Sequence, residues 1–181
     1  MNRSRREFIR QGAGALVVSL LPIRALAATF ASEDLQRHIS LYNTHTGESI
    51  DICYYGKGAY CPDALNKINH ILRDHRANKE QPIDVHLLDA LYAVRRKVRS
   101  NTPFHVISGY RSPSTNAMLR KTTNGVARTS YHTKGQAIDI RLPGYQTHRL
   151  RDLCIALQSG GVGYYGDSDF VHLDTGPVRT W

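Results

Sequence analysis

The segment Ser130-Tyr131-His132-Thr133-Lys134-Gly135-Gln136-Ala137-Ile138-Asp139 carries a histidine and, seven residues on, an aspartate. The glycine between them permits a sharp turn. A strand over residues 136–142 would put Ala137, Asp139 and Arg141 on one face and Ile138 and Ile140 on the other. Asp139 then stands beside a small residue that leaves room for an ion. A second candidate strand, Phe170-Val171-His172-Leu173-Asp174, points His172 with Phe170 and Asp174, opposite Val171 and Leu173. His132, Asp139 and His172 together make a donor set that suits zinc. Three protein ligands leave a fourth position for water, which separates a catalytic site from a closed structural one. A single His-x6-Asp pair is common, and is more often a surface histidine near a salt-bridged aspartate, so spacing by itself does not decide the matter.

Other residues fit around that set. Arg111 lies just past a strand end, after Gly109, where a planar and always-charged fork can hold a substrate carboxylate or steady a tetrahedral oxyanion. Tyr131, next to His132, can donate a hydrogen bond to substrate. Asp174 shares the face of His172, roughly 6.8 Å further along the strand. It can serve as general base, orient a histidine, or pair with an arginine. His70 and His75 lie five residues apart on one candidate helix and so face different ways. His38, His86, His105 and His148 have no partner at ligand spacing, and His45 sits in a hairpin turn that can line a cleft.

These residues need elements to position them. Ile39–Asn43 and Ser49–Tyr54 alternate apolar and polar residues around Thr46-Gly47, the pattern of a β-hairpin, and Gly56-Lys57-Gly58 breaks the second strand. A helix is expected from Pro62 to about Arg76, carrying Leu65, Ile68, Ile71 and Leu72, and another after Asp84, with Leu87, Leu88, Leu91 and Val94 as its buried stripe. Phe104–Ser108 reads as a strand, and Ser112-Pro113-Ser114 starts a short helix. A strand over 136–142, a helix over 147–157 and closing strands over 162–165 and 170–174 complete the chain. Strands and helices mix without strict alternation, so the expected fold class is α+β: a mostly antiparallel sheet with helices packed largely on one side.

The first 27 residues are not expected to join that fold. Ser4-Arg5-Arg6-Glu7-Phe8-Ile9-Arg10, an apolar run from Gly12 to Leu21 and Ala25-Leu26-Ala27 have the form of a twin-arginine signal peptide over 1–27. The run is shorter than the roughly 20 residues a membrane span needs, so no stable insertion is expected after cleavage. Residues 28–37 read as a flexible leader, and 38–181 as one domain. The signal peptide over 1–27 holds five of the 24 Lys and Arg and one of the 15 Asp and Glu, which leaves 19 against 14, a net +5. That charge suits an anionic polymer, without the lysine-rich tracts or interleaved aromatics of a nucleic-acid module. Cys53 and Cys61 are close enough in sequence to close a small loop in an oxidising compartment, and Cys154, in an apolar helical stretch, is expected to be a buried thiol.

The pattern Ser-x-His-x-x-Gly-x-Ala-x-Asp followed by a strand-borne histidine resembles the zinc peptidases that include D-Ala-D-Ala peptidases, lysostaphin-like enzymes and the hedgehog domain. The chain is more closely similar to the YcbK-like murein endopeptidases. That similarity rests on Asn43-Thr44-His45-Thr46-Gly47-Glu48, Ser108-Gly109-Tyr110-Arg111-Ser112, Gly160-Gly161-Val162-Gly163-Tyr164-Tyr165 and Phe170-Val171-His172. It covers essentially the whole of the mature chain. The resemblance implies a hedgehog/DD-peptidase-like fold, a Zn2+ cofactor and a periplasmic metallopeptidase. The implied substrate is the peptide stems of peptidoglycan, cut at cross-links between D-amino acids or between diaminopimelate residues. The D-Ala-D-Ala peptidases place a glutamate three residues before the last histidine ligand; here that position is Asp169, one methylene shorter. Asp169 is therefore the first candidate for general base and Asp174 the second. The departure keeps two rivals open: a D,D-carboxypeptidase acting on uncrosslinked stems, and a zinc-containing murein-binding protein without turnover.

Overall fold

The computed structural model describes residues 36–123 and 125–181. The signal peptide expected over 1–27 and the leader up to residue 35 lie outside them. Arg37, assigned to the leader from sequence, is the first residue of β1 (Arg37–Asn43). Its guanidinium sits 2.7 Å from Asp89. β1 and β2 (Ser49–Gly56) form the expected hairpin, and the glycine-bearing turn after β2 leads back into a two-residue β3 (Ala59–Tyr60) that sequence reasoning missed.

α1 (Pro62–Ile71) starts with proline in its first turn, where its missing N–H costs nothing. It stops five residues short of the expected Arg76. The buried Asp74 explains the early end: its carboxylate accepts the backbone N–H groups of Arg76 (3.0 Å) and Ala77 (3.2 Å), a local bond that replaces the helical one. α2 (Val85–Val98) is capped by Asp84, which accepts from His86 N at 3.0 Å. After β4 (Phe104–Ser108), Ser112 caps α3 (Pro113–Thr122). A 3-10 turn (Tyr131–Lys134), β5 (Ala137–Arg141), α4 (Thr147–Leu157), β6 (Gly161–Tyr165), β7 (Phe170–Asp174) and β8 (Arg179–Thr180) follow.

The eight strands form one sheet in the order β3-β2-β1-β4-β5-β7-β6-β8. Only β1–β4 and β6–β8 are parallel, so the sheet is mostly antiparallel and the class is α+β. One face carries Leu41, Phe104, Val106, Ile138, Ile140, Val171 and Leu173. They pack against Ile68 of α1, Leu87, Leu88, Leu91 and Val94 of α2, and Leu150 and Cys154 of α4. α3 stands apart from this layer: its buried residues are the polar Thr115 and Asn116, and its Leu119 borders a cleft on the opposite side. Burial pushes the Cys154 thiol up to about 12, as a core residue requires. Cys53 and Cys61 do not pair; the Cys53 thiol donates to the Tyr55 carbonyl at 3.2 Å instead. No helix among the described residues is long and apolar enough to cross a membrane.

The sheet register sets up the chemistry. Ser108 lies opposite Asp139, Asp139 opposite His172, and His172 opposite Gly163. Directly paired residues project to the same face. This row therefore crosses four adjacent strands on the face away from the core.

Candidate metal centre

His132 joins that row from the 3-10 turn. Ser130 Oγ accepts from His132 N at 3.3 Å, and Gly135 ends the turn with a φ of +70°. A side chain at Gly135 would meet the Pro82 carbonyl at 2.3 Å, so the turn needs glycine on both conformational and steric grounds. The turn is nailed down further by Asp84 N donating to the Gly135 carbonyl at 2.9 Å and Arg111 N donating to the His132 carbonyl at 3.1 Å.

Three side-chain atoms converge where the turn meets the row. His132 Nε2 lies 3.2 Å from Asp139 Oδ1 and 3.2 Å from His172 Nδ1, and His172 Nδ1 lies 2.8 Å from Asp139 Oδ1. All three residues are buried. The partners of the outward atoms leave these three atoms free to serve as ligands. His132 Nδ1 contacts the Gly109 carbonyl at 2.7 Å. A carbonyl only accepts, so Nδ1 carries the proton and Nε2 keeps its lone pair. His172 Nε2 donates to Asp174 Oδ2 at 2.9 Å, which leaves the Nδ1 lone pair facing inward. The Asp139 Oδ2 atom accepts from Arg111 Nη2 at 2.6 Å, leaving Oδ1 for the centre. In a tetrahedron with metal–ligand bonds of about 2.0–2.1 Å the ligand atoms stand about 3.3 Å apart. The observed triangle is slightly tighter and of the right shape and chemistry for zinc.

The electrostatics agree. Burial, outweighing the attraction of Asp139, holds the His132 pKa below the usual imidazole value, so this ring is neutral and ready to coordinate. Burial would raise the Asp139 carboxyl, but His132 and His172 hold it far below the usual carboxylate range. His172 is pulled down by burial and pushed up further by Asp139 and Asp174, ending above its ordinary value; a proton there occupies the place that a cation would take.

The remaining candidates from sequence fall in different places. Arg111 is in the site, with Nε donating to Ser108 Oγ at 2.8 Å and Nη2 to Asp139. Tyr131 lines the cleft, its ring packed on Gly176. Asp174 is buried behind His172 with both oxygens engaged. Oδ1 accepts from Gly161 N (3.1 Å), Gly176 N (2.9 Å) and Arg179 Nη1 (3.1 Å), and Oδ2 accepts from His172 and from Arg179 Nη2 (2.7 Å). Asp169 is not brought to the site. Its φ of +52° sets the turn before β7 and sends the side chain outward. There Oδ1 accepts from Thr147, Oδ2 lies 3.7 Å from Arg141 Nη1, and the side chain is 61% exposed.

A cleft of about 660 Å³ opens above the triad. Its floor follows the sheet order: His45 after β1, Ile107 and Ser108 on β4, Asp139 on β5, Phe170 and His172 on β7, Tyr165 on β6, Arg179 and Trp181 at β8. At about 4.8 Å per strand, the five steps from β1 to β8 span about 24 Å, with the triad near the middle. Asp139 is the only acidic side chain among the described lining residues. Sequence reasoning missed Arg179 and Trp181, because β8 has two residues and no periodicity to read. It also missed Arg76, placing it inside a helix.

The chain matches, over residues 31–181, the family model described as peptidoglycan L,D-endopeptidase MepK. It is 43% identical over 178 residues to the peptidoglycan L,D-endopeptidase MepK of Escherichia coli strain K12, covering 98% of this chain and 97% of that protein. It is 38% identical over 182 residues to the probable peptidoglycan L,D-endopeptidase MepK of Haemophilus influenzae, covering 100% of this chain and 97% of the relative. No solved structure matches significantly. A family match from residue 31 to the end, with two relatives aligned along nearly their whole length, makes this chain a member of the MepK family of peptidases.

Proposed function

We propose that this chain hydrolyses peptidoglycan cross-links at an amide joining an L-centre to a D-centre, using zinc held by His132, Asp139 and His172. The observation that carries the reading is the convergence of His132 Nε2, His172 Nδ1 and Asp139 Oδ1 within 2.8–3.2 Å, each with its outer atom fixed by a separate partner. Zinc bound there supplies a Lewis acid that polarises a carbonyl and lowers the pKa of a bound water to about 7.

The protein's own residues do the rest. Gly109, Asp174 and Arg111 hold the three ligands in the tautomers and orientations that binding requires. Arg111 uses one edge on Asp139 and Ser108, and its remaining N–H groups face the cleft, where charge develops on the scissile carbonyl oxygen. Tyr131 forms the wall beside His132 and can donate to a substrate carbonyl. Asp174 positions His172; with both oxygens bonded and no exposure to the cleft, it is not the proton acceptor. Asp169 faces solvent away from the cleft and is assigned no part in proton transfer. A cleft that continues on both sides of the triad suits a cross-link more than a chain terminus, which favours the endopeptidase over the D,D-carboxypeptidase. The substrate lies outside the cytoplasmic membrane, consistent with export by the twin-arginine route to the periplasm.

Digestion of purified sacculi by zinc-loaded protein, with chromatography of the released muropeptides, tests the reading. Cross-linked dimers should fall and monomers rise, and a chelator or His132→Ala should abolish the change. Unchanged dimers in a folded, zinc-containing sample would leave a non-catalytic murein-binding protein as the better account.

A further inference from the structure

At the β1/β4 end of the cleft the charged lining residue is Arg76, and no acidic side chain lines the cleft beside it. Arg76 lines the cleft there with an exposed guanidinium that makes no side-chain hydrogen bond or ion pair among the described residues. Beside it, His45 lines the floor and donates from Nε2 to the Ile107 carbonyl at 3.0 Å. His75 stacks on His45, with ring centroids 4.2 Å apart and planes 18° apart. The nearest acid in sequence, Asp74, is turned away and fully used: its carboxylate accepts from the N–H groups of Arg76, Ala77 and Ser112 (2.9 Å). Burial would raise the Asp74 carboxyl, and bonds from Ser112, Thr115 and Ala77 bring it down to about 2, so it stays an anion committed to its own backbone.

That same Asp74 makes the cluster a preorganised one. Its Oδ1 holds the turn bearing His75 and Arg76, while its Oδ2 holds Ser112, the residue after Arg111. Tyr110 N adds a bond to the Leu72 carbonyl at 2.8 Å. The loop that presents Arg111 to the metal centre and the turn that presents Arg76 are thus one rigid unit. Arg111 is already engaged with Asp139, whereas Arg76 keeps its whole fork free. Such a fork, exposed in the cleft near the stacked His45 and His75 rings, is suited to a carboxylate. Burial first, and then His45 and Arg76, lower the His75 pKa against the opposing pull of Asp74, so the ring is neutral.

We propose that Arg76 is an anion subsite that binds a free carboxylate of the peptide on one side of the scissile amide, with the stacked His45 and His75 rings beside it as packing, and so fixes the direction in which a cross-link lies across the cleft. The inference rests on the reading that the substrate is a peptidoglycan cross-link, whose stems carry free carboxylates. It adds specificity to the site rather than chemistry, so its signature is in KM.

The test compares muropeptide dimers isolated from sacculi with the same dimers after amidation of their carboxylates, as substrates for the wild-type protein and for Arg76→Gln. Arg76 is exposed and uses only its backbone N–H inside the fold, so the variant keeps the structure. For the wild type, amidation should raise KM about tenfold or more, the scale of a charge-assisted pair. For Arg76→Gln with free carboxylates KM should rise similarly, and amidation should then cost little further, with kcat changing less than KM throughout. If amidation costs wild type and variant the same factor, the subsite is overturned. If neither protein cleaves any dimer, the hydrolase reading fails, and calorimetric binding of the same two dimers still judges the subsite. Preference for free carboxylates that vanishes in Arg76→Gln supports it, and equal affinities overturn it.

Discussion

Replacing Asp174 with asparagine changes one atom in the side chain and should loosen the metal centre without touching a ligand. The aspartate accepts five hydrogen bonds, from His172 Nε2, Gly161 N, Gly176 N and two nitrogens of Arg179. An asparagine has a single acceptor oxygen and two N–H donors. With its oxygen toward His172, the amide nitrogen faces the donors of Gly161, Gly176 and Arg179. With its oxygen toward those groups, the amide nitrogen faces His172 Nε2, which can then accept only by moving its proton to Nδ1, the atom that must coordinate. Either arrangement leaves buried donors unpaired, at about 1–3 kcal/mol each. The expected result is a loss of zinc affinity toward the upper end of the about 10–100-fold range seen for such partners, or about 2–3 kcal/mol. Competition against a chromophoric chelator gives the affinity. Melting of the zinc-free protein, which should fall by about 2 kcal/mol, shows that the fold survives. Zinc binding within threefold of wild type in a folded Asp174→Asn protein would refute the reasoning that the Nε2 bond sets the tautomer of His172.

Four further outcomes follow from the same geometry. Asp169→Asn, which tolerates the positive φ, should keep turnover within about twofold of wild type and cost less than about 1 kcal/mol; loss of turnover with zinc retained would restore Asp169 as general base. Asp74 is depressed from 3.8 to about 2, so its stabilising contribution is present above about pH 4 and is lost as pH falls through about 2. Denaturant unfolding between pH 5 and pH 2 should therefore cost wild type about 2 kcal/mol more than Asp74→Asn, and parallel curves would contradict it. Gly163→Ala puts a methyl 2.6 Å from the Trp181 ring, whose Nε1 donates to Tyr165 Oη at 2.9 Å. Emission from Trp181, the single tryptophan of the chain, should shift to the red with a loss of about 1–3 kcal/mol, and an unchanged spectrum would mean that the indole is not seated there. Zinc at about 1,000 times its dissociation constant should raise the unfolding free energy by about 4 kcal/mol over chelated protein, read as a melting shift that His132→Ala abolishes.

Much of this site is legible in residue order because a strand has a period of two. Once Ile138, Ile140, Val171 and Leu173 are given to the core, Asp139 and His172 must share the other face, and the structure pairs them directly. His132 is legible for a different reason. It needs a turn that ends in a left-handed residue, and Gly135 supplies one three positions on. The helix over 147–157 and the caps at Asp84 and Ser112 are equally local signals. What sequence did not show depends on the far ends of side chains. Asp169 and Asp174 are both aspartates near His172. One is turned out by its own φ into Thr147 and Arg141, contacts that no spacing predicts; the other is turned in beneath Arg179 and against His172, which selects among roles that the spacing left open. The early end of α1 belongs to the same class, since Asp74 draws the backbone of Arg76 into a turn only because Ser112, from a distant loop, completes its shell.

Asp174 and Asp74 share a feature that bears on function. Each is an aspartate that anchors one segment to another: Asp174 ties β8 to the candidate ligand His172, and Asp74 ties the Arg76 turn to the Arg111 loop. Neither touches the cleft, yet Asp174 holds the guanidinium of Arg179 and Asp74 holds the backbone of Arg76, two arginines that line the cleft. Ligands drawn from adjacent strands need little help to converge, because the sheet spaces them. Groups that must meet a substrate several strands away need buried carboxylates to hold their loops, since loop backbone alone would let a guanidinium wander by more than a hydrogen-bond length. Asp74 and Asp174 are thus spent on positioning, outside a cleft whose only acidic side chain among the described residues is the candidate ligand Asp139.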